Sequence, residues 1–381
     1  RDTLNPPINV LIRHIFHDLQ LLFFGHHKTI IPITSVFRVC TRVLQYMPKD
    51  AGANNRSHFF LAFIFVSLCG CVSDENDSEA QYITWDGLEP DKWASVWLIK
   101  RHVDPGAKVV LRPIGAPIET GIAFGIPGSD FSRSHGVSVY ESLMRGYELD
   151  DPAVQELGRI VHDIEISPWS DSGSEHTGAV EQAYRALQDR FEKRDVPIAC
   201  YERFFDQVYI LLSGEDSEAD RDSLYELGTP EDDCVHQGTS LASKDDSPFV
   251  LRLETYAVLD QISAGRKVVF VDVREPAEYD EFRIPGAVNL QLRAVTPEHT
   301  SQFNDADLVI PYCVKDFRGF EMARSLAELG VKNVGIMQPY GIAGWRHLGL
   351  PVAGQDGLTD AEALDELSQC AQAGNCVTDP S

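Results

Sequence analysis

Positive charge is scarce in this sequence. Lysine and arginine total 33 against 58 aspartates and glutamates, a formal net charge of −25. So acidic a surface repels phosphate backbones, which excludes sequence-independent nucleic-acid binding as a function class. Nor does the run Phe59–Leu68 (FFLAFIFVSL) approach the roughly 20 apolar residues that a membrane-spanning helix needs. Local metal-ligand spacing is missing as well. His135, Glu141, His162 and Asp163 have the imidazole and carboxylate chemistry that suits a first-row divalent ion. They form no local motif, however, and His162 and Asp163, adjacent on one helix, cannot face one point comfortably, so no metal is expected.

What is present begins with an unusual leader. Residues 1–46 start on Arg1, are basic and His-rich, and contain no methionine before Met47. They are expected to be an upstream extension from a misplaced start rather than part of the mature protein. From Met47 the pattern changes to Lys49 and Arg56, the apolar run Phe59–Leu68, and then Leu68-Cys69-Gly70-Cys71. Residues 47–71 are expected to be a secretory signal. The Leu-x-Gly-Cys ending resembles a bacterial lipobox, which implies lipidation of Cys71 and leaves 72–80 as a polar tether. Val72 after that cysteine implies, by analogy, an exported periplasmic protein anchored to the outer membrane.

With 381 residues and a prior of about 150 per domain, two to three domains are expected. Residues 81–228 form the first. Trp93, Val96, Trp97 and Leu98 lie near helical spacing, and Val109–Arg112 reads as a strand. Helical patterns follow at 138–145, 152–165, 178–193 and 199–212. In the second, Pro152 sits at the first helical position behind Asp150 or Asp151 as cap. The unit is α+β or mainly α. Residues 229–249 are rich in acidic and small residues and read as a linker, so the two folded domains are expected to be tethered rather than fused.

The stretch that carries chemistry is Val309–Gly319, VIPYCVKDFRG. A buried strand delivers Cys313 to a short loop that turns into the helical pattern Phe320, Ala323, Leu326 and Leu329. A thiol there sits at a helix N-terminus beside Lys315 and Arg318, a setting that favours the thiolate and holds an anion against it. The alternative is an inert structural cysteine packed as a small hydrophobe.

The order VVFVDV (268–273), REPAEYDEFRIPGAVNL (274–290), the cysteine loop, VGIM (334–337) and YGIAGW (340–345) resembles a rhodanese (sulfurtransferase) domain over 250–354. That resemblance implies an α/β fold, a parallel sheet flanked by helices, with Cys313 carrying a persulfide. It implies that Arg318 closes the loop, that Lys315 and Arg318 hold the donor's anionic group, and that the backbone of Val314, Asp316 and Phe317 lines the sulfur site. Asp272 and Arg274 match the family's bracing pair, and Gly341, Gly344 and Trp345 its C-terminal signature. Four residues separate Cys313 from Arg318, the spacing of sulfur-transferring members; phosphatase relatives have five. Two positions depart from the pattern: Arg283 replaces a frequent histidine, and Asp316 a frequent glycine. An acid in the loop weakens the attraction for a dianion such as thiosulfate by on the order of a kcal/mol.

WLIKRHVDP (97–105), FGIPGSDFSRSHG (124–136) and YELDDPAVQELGRIVHD (147–163) together resemble the chromate-resistance exported-protein family. The opening DKWASVWLI departs from that family's pattern at the position of an arginine. The resemblance implies involvement in oxyanion or metal stress rather than a particular reaction. DNA binding, known for some members, is not expected here.

Residues 355–381 hold one amphipathic helix, Asp360–Gln372, with Ala363, Leu364 and Leu367 on a face, read as a helix packed on the rhodanese domain. Of the cysteines beyond Cys71, Cys370 is expected to pair with Cys376 and Cys200 with Cys234 in an oxidising compartment, leaving Cys313 as the odd thiol. The expected function is therefore sulfur transfer from thiosulfate or a persulfide to an acceptor thiol, without a cofactor. The alternative is a non-enzymatic envelope sensor or binding protein for chromate or a metal, using the rhodanese fold as a docking module.

Overall fold

The computed structural model describes residues 80–169, 173–193, 196–214, 224–229, 232–236, 250–355 and 357–377. The expected extension, the signal segment with Cys71, and the tether up to residue 79 lie outside the described residues. Among those described, no helix is long and apolar enough to cross a membrane.

The chain enters through β1 (Gln81–Trp85), the centre of a parallel three-stranded sheet ordered β2-β1-β3, with β2 at Lys108–Arg112 and β3 at Ile122–Ala123. Between β1 and β2 runs α1 (Pro90–Leu98), buried along its whole length and continued by one wider turn over Ile99–Val103. Pro90 suits the first turn because its missing N–H has no intrahelical partner to lose. Four more helices close the layer: α2 (Val139–Gly146), α3 (Pro152–Glu165), α4 (Thr177–Arg190) and α5 (Ile198–Ser213). Ser138 and Glu141 form a capping box on α2, while Asp151 caps α3 by accepting from the N–H groups of Ala153 and Val154. Trp93 of α1 stacks on Tyr201 of α5 at 4.2 Å, which ties the first and last helices together.

The second half is built on parallel strands. One group is ordered β7-β5-β8, with β5 at Val268–Asp272, β7 at Val288–Asn289 and β8 at Leu308–Tyr312. The other pairs β4 (Leu251–Glu254) with β9 (Gly335–Gln338), and a parallel bridge from Val309 to Val334 joins the two. Helices α6 (Thr255–Ser263), α7 (Pro276–Glu281), α8 (Phe317–Glu328) and α9 (Gly341–His347) alternate with these strands. A short antiparallel pair, β6 (Phe282–Arg283) with β10 (Ala353–Gly354), finishes the fold. Every residue of β8 is buried, as expected for an inner strand of a parallel sheet covered on both faces.

Helix α10 (Asp360–Ala373) docks through Ala363, Leu367 and Ala371. Leu364, expected on that face, is exposed instead. Arg283 bonds Asp360 at the start of α10 and lies over the Tyr279 ring, so its departure from the family pattern serves the C-terminal helix.

Both expected disulfides are formed, Cys200–Cys234 and Cys370–Cys376. The first changes the expected domain plan. Asp233–His236 forms a helical turn fastened to α5 through Cys234, so part of the stretch expected to be linker belongs to the first domain; residues 237–249 lie outside the described ones. Residues 77–381 form one compact unit rather than two tethered ones. Phe317, from the cysteine loop, is buried in the core of the first domain, and Ile114 of the first domain packs on the core of the second.

Candidate active site

The loop after β8 is positioned from beneath by α9. The N–H groups of Ile342 and Ala343 donate to the carbonyls of Cys313 and Val314, each at 3.0 Å. Gly341, at φ +60°, lies so close that a Cβ there would sit 1.8 Å from the Lys315 carbonyl oxygen and 2.5 Å from those of Cys313 and Val314. Only glycine fits. Because a trans peptide points its N–H opposite to its carbonyl, the amides of Val314, Lys315 and Asp316 are turned away from α9. Among the described residues none of these amides donates to a backbone carbonyl. Successive amides aimed one way make an anion-binding concavity.

Asp272 and Arg274 brace the adjoining strand end. The Asp272 carboxylate accepts from the Arg274 Nη2 at 2.8 Å and from its backbone N–H at 2.9 Å, both side chains being buried. The next strand is one bond away, since the Val273 N–H donates to the Tyr312 carbonyl at 3.0 Å. Trp345 is a core residue rather than a loop contact; its Nε1 donates to the Pro351 carbonyl and its ring meets Phe270 edge-on.

Cys313 is the free cysteine among the described residues, and it is 1% exposed. Burial pushes its thiol pKa up; Arg318 and a hydrogen bond from the Gly319 N–H pull it down, while Glu165 and Asp316 push it up again. The balance lies above the ordinary value, so the expected thiolate is corrected to a resting thiol. Desolvation outweighs the helix terminus because the first domain covers the loop.

That cover engages consecutive side chains. Lys315 Nζ lies 3.1 Å from Glu181 of α4. Asp316 is bonded by Arg185 and lies 3.3 Å from Lys193 Nζ. Phe317 meets Tyr184 edge-on, with the Arg185 guanidinium 4.3 Å above its ring. Arg318 Nε lies 3.3 Å from a Glu165 carboxylate oxygen, and its Nη2 donates to the Glu165 carbonyl at 3.1 Å. Lys315 and Arg318, expected to be free for a donor's anionic group, are therefore paired with carboxylates of the first domain. Asp316 likewise departs from glycine because it anchors that domain. Burial raises its carboxyl, but Arg185 and Lys193 outweigh burial and hold it below the usual range.

The four candidate metal ligands divide. Glu141 Oε2 lies 3.1 Å from His162 Nδ1, whereas Asp163 turns to accept from the Ser174 N–H and the Thr177 hydroxyl, and His135 is exposed. No cluster of three or more metal-ligating side chains occurs among the described residues. The residues that sequence reasoning missed are Glu165, Glu181, Arg185 and Lys193. Glu165 alone left a signal, a carboxylate four residues after Val161 on the apolar face of α3.

Residues 82–212 match the family described as ChrB, C-terminal domain, and residues 255–347 match the rhodanese-like domain family. This chain carries a ChrB-type domain followed by a rhodanese-like domain. A curated sulfurtransferase of Allochromatium vinosum is 27% identical over 109 residues, 29% of this chain and the whole of that protein. Among solved structures, the BH2092 protein of Bacillus halodurans is 24% identical, covering 27% of this chain and 76% of that one with a TM-score of 0.25. A thiosulfate sulfurtransferase from Pseudomonas aeruginosa is 12% identical, covering 82% and 74% with a TM-score of 0.25. The ChrB-type domain is what lies over the cysteine loop of the rhodanese-like domain.

Proposed function

We propose that this chain is an exported sulfurtransferase that moves sulfane sulfur through a persulfide on Cys313. The observation that carries this reading is the loop itself, where Cys313, the free cysteine among the described residues, stands beside amides turned away from α9. In the first step Cys313 gives up its proton to water as the loop is uncovered, and the thiolate so formed attacks the outer sulfur of a donor. The Cys313 Sγ–S bond forms, the donor's S–S bond breaks, and the electron pair leaves with sulfite from thiosulfate or with a thiolate from a persulfide. In the second step an acceptor thiolate or cyanide takes the outer sulfur, and the pair returns to Cys313. A persulfide is a stronger acid than its parent thiol, so a site that keeps the thiol protonated can still hold the persulfide as an anion against the loop amides. No cofactor is needed.

Closure over Cys313 means that donor and acceptor enter when the ChrB-type domain moves off the loop, and that closure shields the carried sulfur from water and stray thiols. Thiocyanate formation from cyanide tests the reading, with thiosulfate and a low-molecular-weight persulfide as alternative donors and Cys313→Ser as control. Turnover that depends on Cys313 is expected; equal rates in the control contradict it.

Burial of Cys313 also favours the second reading, in which the rhodanese fold only docks the ChrB-type domain. That reading predicts no turnover with either donor and ligand binding that survives Cys313→Ser.

Export and a lipid on Cys71 belong to the same proposal. Two disulfides suit an oxidising compartment and support it. Membrane fractionation tests the anchor: the chain should leave the membrane fraction on Cys71→Ser, and an unchanged distribution contradicts it.

A further inference from the structure

Glu165 ends α3, in the ChrB-type domain, and is 1% exposed. One carboxylate oxygen, Oε2, accepts from Arg133 Nη2 at 3.2 Å and lies 3.3 Å from Arg318 Nε, an ion-pair distance at which Nε makes no hydrogen bond among the described residues. Its main-chain carbonyl repeats the bridge, accepting from Arg133 Nη1 at 3.3 Å and Arg318 Nη2 at 3.1 Å. Its other carboxylate oxygen, Oε1, is buried with no hydrogen-bond partner among the described residues. A buried acceptor left unmade is costly, the more so on a charged group, and folds seldom carry one without a use. Arg133 is held in turn by Asp91 at 2.6 Å, and Asp91 is fixed by the N–H groups of Val139 and Tyr140 at the start of α2. The chain of contacts therefore runs from the frame of the ChrB-type domain, through Arg133 and Glu165, to the residue that closes the cysteine loop.

We infer that Glu165, although outside the rhodanese-like domain, is a positioning residue of the sulfur-carrying site: it fixes the Arg318 guanidinium against the loop and sets how much of that charge is available to the sulfur of Cys313. This rests on the reading of Cys313 as the sulfur carrier. Three charged groups act on that sulfur, Arg318 favouring its anion and Glu165 and Asp316 opposing it. Removing the Glu165 charge takes away one opponent and releases the supporter. A structural role alone, such as gluing the two domains, would lower the midpoint by uncovering Cys313 and would be matched by Arg185→Ala, which breaks a separate contact across the same boundary; a midpoint lowered as far by Arg185→Ala as by Glu165→Gln overturns the inference.

The test is a thiol titration of the full chain, followed by thiolate ultraviolet absorbance and taken as the difference from the same chain carrying Cys313→Ser. Glu165→Gln is expected to lower the midpoint by about one unit, and Glu165→Asp to restore most of it. An unmoved midpoint in folded Glu165→Gln overturns the inference. Since that substitution removes a buried charge from beside two arginines, Arg318→Gln is titrated alongside. Its midpoint is expected to rise, and one that does not rise overturns the claim that Arg318 acts on the sulfur. The titration reads the thiol and not the transfer, so shifted midpoints in a chain that takes up no sulfur would retain Glu165 in its role and remove the transfer reading.

Discussion

Arg185 crosses the domain boundary to bond Asp316, and in doing so lies between two rings of the rhodanese-like domain, 4.3 Å from Phe317 and 4.0 Å from Tyr340. Both partners are buried or nearly so, and Lys193 shares the same carboxylate. Removing one member of such a group leaves uncompensated buried charge, which typically costs about 3–5 kcal/mol. Arg185 retains Glu181 at 2.7 Å, so Asp316→Asn should fall at the low end, about 3 kcal/mol, read from chemical denaturation. A cost below the resolution of that measurement would mean that the contact does not hold the domains together.

The same contact predicts how Cys313 reacts. As a buried thiol with a raised pKa, it should be alkylated slowly near neutrality, with the rate climbing as pH passes above the ordinary cysteine value. Each ~1.4 kcal/mol lost from the closed state raises the open population tenfold. Arg185→Ala should therefore accelerate Cys313 alkylation by at least about tenfold, measured by mass at fixed pH.

Stability should also depend on pH from both sides. Asp316 is held below its unfolded value, so its contribution is present above the ordinary aspartate pKa and lost as pH falls through the lowered one. Glu321 is the opposite case. Burial and then the Glu89 charge push its pKa well above the glutamate value, against Lys92 and Arg324, so its contribution is full at low pH and lost as pH rises through the raised value. Its Oε1 accepts from the Leu88 N–H, a bond that an amide oxygen preserves. Glu321→Gln should thus raise Tm by a few degrees near about pH 8 and change it little near about pH 5, as read by thermal melts.

Gly341→Ala brings a methyl group into the carbonyls of the cysteine loop and forces a non-glycine residue to positive φ. The expected loss is about 2–4 kcal/mol. Loss of sulfur transfer should accompany it even where the variant still folds, because α9 no longer fits beneath Cys313 and Val314.

Much of this site was legible in the sequence. The all-apolar run before Cys313 and the turn into Phe320 follow from local pattern and the glycine of YGIAGW from the rhodanese resemblance, and the structure places them together because β8, α8 and α9 meet at one end of the sheet. An acidic cap on α3 at Asp150 or Asp151 is legible locally, and the structure uses Asp151, whereas the pairing of Cys200 with Cys234, 34 positions apart, follows from the count of cysteines rather than from local pattern. Strand β1 was not anticipated, since QYITW is short and its burial comes from β2 and β3, more than 20 residues downstream. The charge pairs over the loop were hidden more deeply. Glu165 and Arg318 are 153 positions apart, and Arg185 and Asp316 are 131 apart, so no periodicity links them. The sequence by itself therefore shows a cationic loop without the acids that the fold supplies, and a helix-terminus thiol without the burial that keeps it protonated.

The most direct test of the central claim is the intact mass of the full chain after incubation with thiosulfate and, separately, with a low-molecular-weight persulfide, alongside Cys313→Ser. The account predicts the gain of one sulfur atom, located on Cys313, removed by cyanide and absent from the variant. No added sulfur from either donor on the folded chain would contradict it.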